Sequence, residues 1–336
     1  MIGSKQPLAR RYDVALLDLD GVVYVGDDAV PGAPEHLARV REAGVHVAFV
    51  TNNASRSPRA VAEKLSGLGV RAEASDVVTS AQAAARVLLD RFGEGAAVAV
   101  LGADGLRDAL REAALRPVGV GDDADAVVTG YGRDVVWHEV MQVASRIKEG
   151  LPWVASNTDL TLPVPGGGSA PGHGALVRLL ADFSGMNPEV AGKPAPPLLE
   201  ETIRRVGGSR PLMVGDRLDT DIEGGRRAEV DSLLVLTGVT GLADLVAAGP
   251  ELRPSYVAAD LGGLLEVHHA PEREDEGWCA GGWTARVDGR SLVVDGDGSR
   301  DDWWRAVAAA AWEHLDAWGE PADTGDLLPP PAASDR

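Results

Sequence analysis

Three apolar runs in this chain each end in acids or small polar groups. Val14-Ala15-Leu16-Leu17 leads into Asp18-Leu19-Asp20-Gly21, and Val45-His46-Val47-Ala48-Phe49-Val50 leads into Thr51-Asn52-Asn53. Pro211-Leu212-Met213-Val214 leads into Gly215-Asp216-Arg217-Leu218-Asp219-Thr220-Asp221. Short runs rich in β-branched residues and stopped by turn formers predict buried strands. Ligands of open α/β sheets bind beyond the carboxyl ends of the strands, so the three endings are expected to meet at one site.

Strands alternate with amphipathic helices through most of the sequence, which predicts βαβ units around mostly parallel sheets. Ser57-Pro58 opens a helix with a cap residue and a proline at its first position, and Gly67 or Gly69 closes it. A second set of alternating elements fills the stretch from about 80 to 185. It has strands expected at 98–101, 126–128 and 153–155 and helices at 106–114, 138–148 and 175–183. The acid-tipped strands flank this stretch, so it is expected to be an α/β domain inserted into the one that carries the site. Such an insert acts as a lid that excludes water and selects substrate. The domain expectation is a core at 1–80 and 186–268, an insert at 81–185, and a C-terminal part at 269–336.

In that last part, 272–277 is expected to be a charged linker. Strands at 283–287 and 290–294 flank Asp288-Gly289, a hairpin signal. A helix over 301–317 carries Trp303, Trp304 and Trp312, with Trp318 just beyond, and is ended by Gly319 and Pro321. The tryptophans are expected to pack on the hairpin or the core. Residues 320–336 are expected to fray.

Composition narrows the function classes. A chain of 336 residues, 45% hydrophobic, is long enough for two or three cores and too apolar to be disordered. Its formal net charge of −19 argues against nucleic acid or an anionic membrane as a partner, so an anionic substrate needs a local cation. The lone Cys279 allows no internal disulfide, which suits a reducing cytoplasm. The apolar stretch after the basic N-terminus is interrupted by Asp18 and Asp20, so neither a signal peptide nor a membrane span is expected there.

The strand endings suit phosphoryl transfer. Asp18 and Asp20, two apart on a strand, send their carboxylates the same way, and twist at the strand end separates their tasks. One would attack phosphorus, while the other would protonate the leaving oxygen and then deprotonate water. Two anions beside a phosphate dianion require a hard divalent ion. Mg²⁺ suits a site made of Asp18, a nearby carbonyl and Asp216. Asp221 would orient metal-bound water, and Lys193 in Gly192-Lys193-Pro194 would neutralise phosphoryl oxygens. Thr51 and the amides around Asn52 would hydrogen-bond those oxygens. A calcium loop starting at Asp219 is disfavoured, because its twelfth position is Val230.

Asp18-Leu19-Asp20-Gly21-Val22-Val23-Tyr24, Thr51-Asn52-Asn53, Gly192-Lys193-Pro194 and the stretch from Gly215 to Ile222 resemble the four motifs of the haloacid dehalogenase-like (HAD) phosphatases. The large insert between the second and third motifs is similar to class IIA of that superfamily. The resemblance covers about 12–266. It implies a Rossmann-like parallel-sheet α/β core with an inserted α/β cap, Asp18 as nucleophile and Asp20 as acid/base. It also implies Thr51, Asn52 and Lys193 as phosphate binders, and Asp18, the Asp20 carbonyl and Asp216 as Mg²⁺ ligands. Val22 stands where many relatives have Thr.

Ser156-Asn157-Thr158-Asp159 resembles the substrate-facing loop of the cap, and Pro171-Gly172-His173-Gly174 follows a glycine-rich stretch expected to close on the leaving group. Longer matches resemble the actinobacterial glycerol 3-phosphate phosphatases, in which a small C-terminal α+β extension related to part of an acetyltransferase fold follows the phosphatase. The implied activity is hydrolysis of a small phosphorylated metabolite, glycerol 3-phosphate first. Phosphoglycolate, nucleotides, pyridoxal phosphate, transfer to a sugar and a phosphometabolite-binding regulatory module are the alternatives. The oligomeric state is as open as the substrate, with a homodimer among the options.

Overall fold

The computed structural model describes residues 1–163 and 168–331. The chain forms two compact units, Met1–Val47 with Gly208–Arg336, and Ala48–Gly207.

In the first unit four parallel strands lie in the order Tyr256–Ala258, Asp231–Val235, Pro211–Gly215, Val14–Leu17. Val14 pairs with Pro211 and Leu17 with Val214, while Gly215 pairs with Leu234. Val14, Ala15, Leu16 and Leu17 are all buried, as expected of a parallel strand covered on both faces. The register brings the carboxyl ends of Val14–Leu17 and Pro211–Gly215 level, so Asp18 and Asp216 leave the sheet side by side. The Asp18 N–H still donates to the Val214 carbonyl at 2.9 Å.

The same unit holds an antiparallel sheet of Glu272–Glu274, Gly277–Ala280, Trp283–Asp288 and Ser291–Gly296, followed by the helix Arg300–Trp318. Ser299 caps that helix, its side chain accepting from the Asp302 N–H. One hydrophobic cluster runs from Leu218, Ile222 and Leu245 to Trp303, Trp304 and Trp312, so the C-terminal elements share a core with the parallel sheet. Trp318 is 75% exposed.

Three local expectations for this region change. The charged 272–274 stretch is a strand rather than a linker, with Glu272 opposite Cys279 and Glu274 opposite Gly277. Its charges face solvent from a sheet edge, where they deter pairing with another chain. The hairpin pairs Asp288 with Ser291, so Gly289 and Arg290 form the turn and Gly289 takes φ +61°. The chain does not fray from 320, because the Leu292 N–H donates to the Asp323 carbonyl at 2.8 Å and Asp323 N–H to Arg290 at 2.7 Å. Residues 332–336 of that tail lie outside the described residues.

The second unit contains a parallel pair, His46–Thr51 (from Ala48 onward) with Val77–Thr79, and a five-stranded parallel sheet. That sheet has the order Glu189–Val190, Trp153–Ala155, Ala126–Thr129, Ala97–Leu101, Arg116–Val118. Helices Ser80–Phe92, Asp104–Glu112, Trp137–Lys148 and His173–Ser184 complete its βα units. Thr79 and Gln82 form a capping box on the first of these. The sheet lies, in sequence, between the acid-tipped strands, as an inserted α/β cap requires. The glycine-rich stretch expected to close on the leaving group lies mostly within 164–167, outside the described residues.

Candidate active site

Asp18, Asp216 and Asp221 each contribute a carboxylate oxygen to a cluster in which these atoms lie within 4.8 Å of one another. Strand register places the first two. Asp221 returns through a π-helical turn, Leu218–Ile222, in which its Oδ2 accepts from the Arg217 N–H at 3.1 Å. Asp216 and Asp221 are fully buried. Three carboxylate oxygens this close repel unless a proton or a cation lies among them, and an all-oxygen set is the donor type that Mg²⁺ and Ca²⁺ accept. The residues therefore fit a hard divalent cation. Just outside the cluster, the Arg217 guanidinium donates to both Asp219 oxygens at 3.0 and 2.8 Å. Burial pushes the Asp219 carboxyl up, but Arg217 outweighs it and holds the group below its ordinary range.

Close backbone approach shapes this pocket. The Val239 N–H donates to Asp216 Oδ2 at 2.6 Å, and the Thr240 N–H to the Asp216 carbonyl at 3.2 Å. Thr237 Oγ1 donates to the Gly21 carbonyl at 2.6 Å. The 237–240 loop is not among the residues that the motifs point to, although its Thr-Gly-Val-Thr composition after an apolar run is a usable signal. Asp20 is exposed, and Tyr24 Oη lies 3.5 Å from its Oδ2. Leu19, between the two acids, is buried.

The second unit gathers the other expected residues. Thr51 ends its strand, buried, and its Oγ1 accepts from the Asn53 N–H at 3.1 Å. Asn52 Oδ1 accepts from the Lys193 N–H at 2.8 Å, and its Nδ2 donates to the Lys193 carbonyl at 3.0 Å and to Asp159 Oδ1 at 3.2 Å. Asn157 Nδ2 donates to the Asn52 carbonyl at 2.7 Å. His173 Nδ1 lies 2.8 Å from the Asn157 carbonyl, so that nitrogen carries the proton. Burial lowers the His173 pKa to about 4, against a smaller upward pull from that hydrogen bond, so the ring is neutral at pH 7. Gly172 and Gly174 let two backbones touch: a Cβ on them would fall 2.3 Å from the Asp159 carbonyl and 2.1 Å from that of Thr158. Within the second unit, Thr51, Asn52, Asn157, Asp159, Gly172, His173 and Lys193 thus belong to one neighbourhood.

Comparison with known proteins agrees with this chemistry. The haloacid dehalogenase-like hydrolase family matches residues 15–116, and a HAD-hydrolase-like family matches 190–264. The chain is 42% identical over 320 residues to the D-glycerol 3-phosphate phosphatase of Mycobacterium tuberculosis, spanning 91% of this chain and 87% of that protein. It is 33% identical to an acid sugar phosphatase of Staphylococcus aureus, over 75% of this chain and 96% of the relative. Among solved structures, glycerol phosphate phosphatase from Mycobacterium tuberculosis in complex with magnesium superposes with a TM-score of 0.83 at 41% identity, covering 92% of each chain. The same enzyme in complex with calcium gives 0.84 at 40% identity, covering 97% of this chain and 93% of that one. The chain belongs to the haloacid dehalogenase-like hydrolase family and groups with its phosphatases.

Proposed function

We propose that this protein is a Mg²⁺-dependent phosphomonoesterase acting on a small phosphorylated metabolite, glycerol 3-phosphate first among them. The observation that carries the reading is the Asp18, Asp216 and Asp221 cluster at the strand ends. The 42% identity to a D-glycerol 3-phosphate phosphatase directs the choice of substrate. Asp18, the Asp20 carbonyl and Asp216 would hold the ion, with Asp221 behind them. Bound there, Mg²⁺ supplies positive charge that offsets repulsion between the acids and a phosphate dianion.

The chain's own residues then divide the reaction. A carboxylate oxygen of Asp18 attacks phosphorus as the bond to the leaving oxygen breaks, and Asp20 donates its proton to that oxygen. Asp20, now a carboxylate, takes a proton from water, whose oxygen attacks phosphorus and releases phosphate from Asp18. Thr51, the backbone around Asn52 and Lys193 bind the phosphoryl oxygens, and Asn157, Asp159, Gly172 and His173 belong to the loops that select the leaving group. A cytoplasmic location fits the single cysteine.

The 33% identity to an acid sugar phosphatase favours sugar phosphates as the second reading. A phosphate-release screen with Mg²⁺ tests both, across glycerol 3-phosphate, phosphoglycolate, sugar phosphates, nucleoside monophosphates and pyridoxal phosphate. The expected outcome is one dominant substrate, a polyol phosphate. No release from any of them would overturn the assignment.

A further inference from the structure

The side-chain amide of Asn52 is engaged on three sides. It pairs with both backbone polar groups of a single residue, accepting from the Lys193 N–H at 2.8 Å and donating to the Lys193 carbonyl at 3.0 Å. The second Nδ2 hydrogen goes to Asp159 Oδ1 at 3.2 Å. An amide nitrogen has two hydrogens, so a phosphate oxygen would have to displace one of these bonds to reach the side chain. Gly192 makes the clamp feasible, because a Cβ there would fall 2.7 Å from Asn52 Oδ1.

The clamp itself is held from behind. The Asn52 carbonyl accepts from Ser80 Oγ at 2.6 Å and from Asn157 Nδ2 at 2.7 Å, and Asn52 is 9% exposed. Lys193 is 1% exposed, so its long side chain leaves a backbone whose position sets where the ammonium arrives. Burial in a packed interior leaves little room for the stem to correct a displaced Cα.

We infer that Asn52 is a positioning residue: its side-chain amide fixes the Lys193 backbone, and Asp159 and Asn157 couple that clamp to the cap loop. Asn52 thereby acts on the phosphoryl group through Lys193. The inference rests on the proposed assignment of Lys193 to the phosphoryl oxygens.

A double-mutant cycle in the full-length protein tests it, with Asn52→Ala, Lys193→Ala and the double variant. Turnover of 4-nitrophenyl phosphate with Mg²⁺, inorganic phosphate affinity by calorimetry and thermal midpoints are read for each. Asn52→Ala is expected to lower kcat by roughly 10- to 100-fold, the scale of a misplaced catalytic group, and to weaken phosphate binding. In the Lys193→Ala background the same substitution is expected to change both by less than about 2-fold, since residues acting as a unit are non-additive.

Equal losses in both backgrounds would overturn the inference while leaving Lys193 its role. Lys193→Ala with unchanged turnover and phosphate affinity would instead remove the assignment of Lys193. If Lys193→Ala turns over too slowly to measure, the phosphate-affinity cycle decides. If Asn52→Ala does not fold, Asn52→Asp replaces it, keeping the acceptor for the Lys193 N–H and losing both donors.

Discussion

Gly238 faces the buried carboxylate of Asp216 so closely that a Cβ on it would fall 2.0 Å from Asp216 Oδ2. That approach lets the next residue, Val239, donate its N–H to the same oxygen at 2.6 Å. From another side, Gly21 at φ +86° would place a Cβ 2.4 Å from Oδ2. Asp216 is thus oriented by backbone on two sides, and only glycine allows it. Gly238→Ala is expected to displace the carboxylate and weaken Mg²⁺ binding by about 10- to 100-fold, the usual cost of losing an outer partner of a ligand. Calorimetric titration with Mg²⁺ checks this, and an unchanged affinity would refute it.

Asp18 and Asp20 should fail differently when neutralised. Asp18→Asn is expected to abolish phosphate release while keeping the thermal midpoint, since one repelling carboxylate leaves the cluster. Asp20→Asn is expected to cost on the order of 100- to 10,000-fold in kcat, the range of lost acid-base help. Full retained activity in Asp18→Asn would take the nucleophile's role from it.

His173 predicts a pH dependence of stability. Its folded pKa is about 4, held down by burial, against about 6.5 in an unfolded chain. As pH falls below 6.5 the unfolded chain takes up the proton first, so stability declines between 6.5 and 4 and the full deficit persists below 4. At pH 5 the loss amounts to about 2 kcal/mol. His268, lowered to about 4 by burial and by Arg305, adds a decline of the same sign. Asp301, raised to about 6 by burial against the pull of Arg305, opposes both. His173→Asn is therefore expected to flatten the drop in thermal midpoint between pH 7 and pH 5 by a few degrees without removing it. A profile parallel to the native one would contradict this.

Arg305 joins the last helix to the core. It is 3% exposed and donates to Asp302 at 2.7 Å, to His268 Nδ1 at 3.0 Å and to the Val257 carbonyl at 3.2 Å. Asp301 lies 3.4 Å from the same guanidinium. Arg305→Ala takes from two buried acids the cation they share and is expected to cost about 3 to 5 kcal/mol. Denaturant unfolding measures it, and a loss below about 1 kcal/mol would show that the cluster relaxes.

The parts of the fold that could be read from the sequence are those where burial is uniform. Val14–Leu17 and Pro211–Gly215 are parallel strands with almost every residue buried, so their apolar runs announced them, and Asp18 and Asp216 marked where they stop. Other features depend on contacts made far along the chain. The spacing from Asp216 already pointed Asp221 toward the cluster, but nothing local tells that the turn between them is π-helical or that Val239 donates to Asp216. Glu272–Glu274 passed for a linker because an exposed edge strand carries no apolar alternation. The pairing of the Asn52 side chain with the backbone of a residue 141 positions away leaves no signature in spacing.

The strand Tyr256–Ala258 ends its sheet, yet the last helix lies along it, with Arg305 donating to the Val257 carbonyl and the Ala259 N–H given to Asp301. An uncovered rim of this kind offers a template on which foreign strands can add. The C-terminal segment thus shields that rim, and the cover would persist even in a variant stripped of all catalytic power.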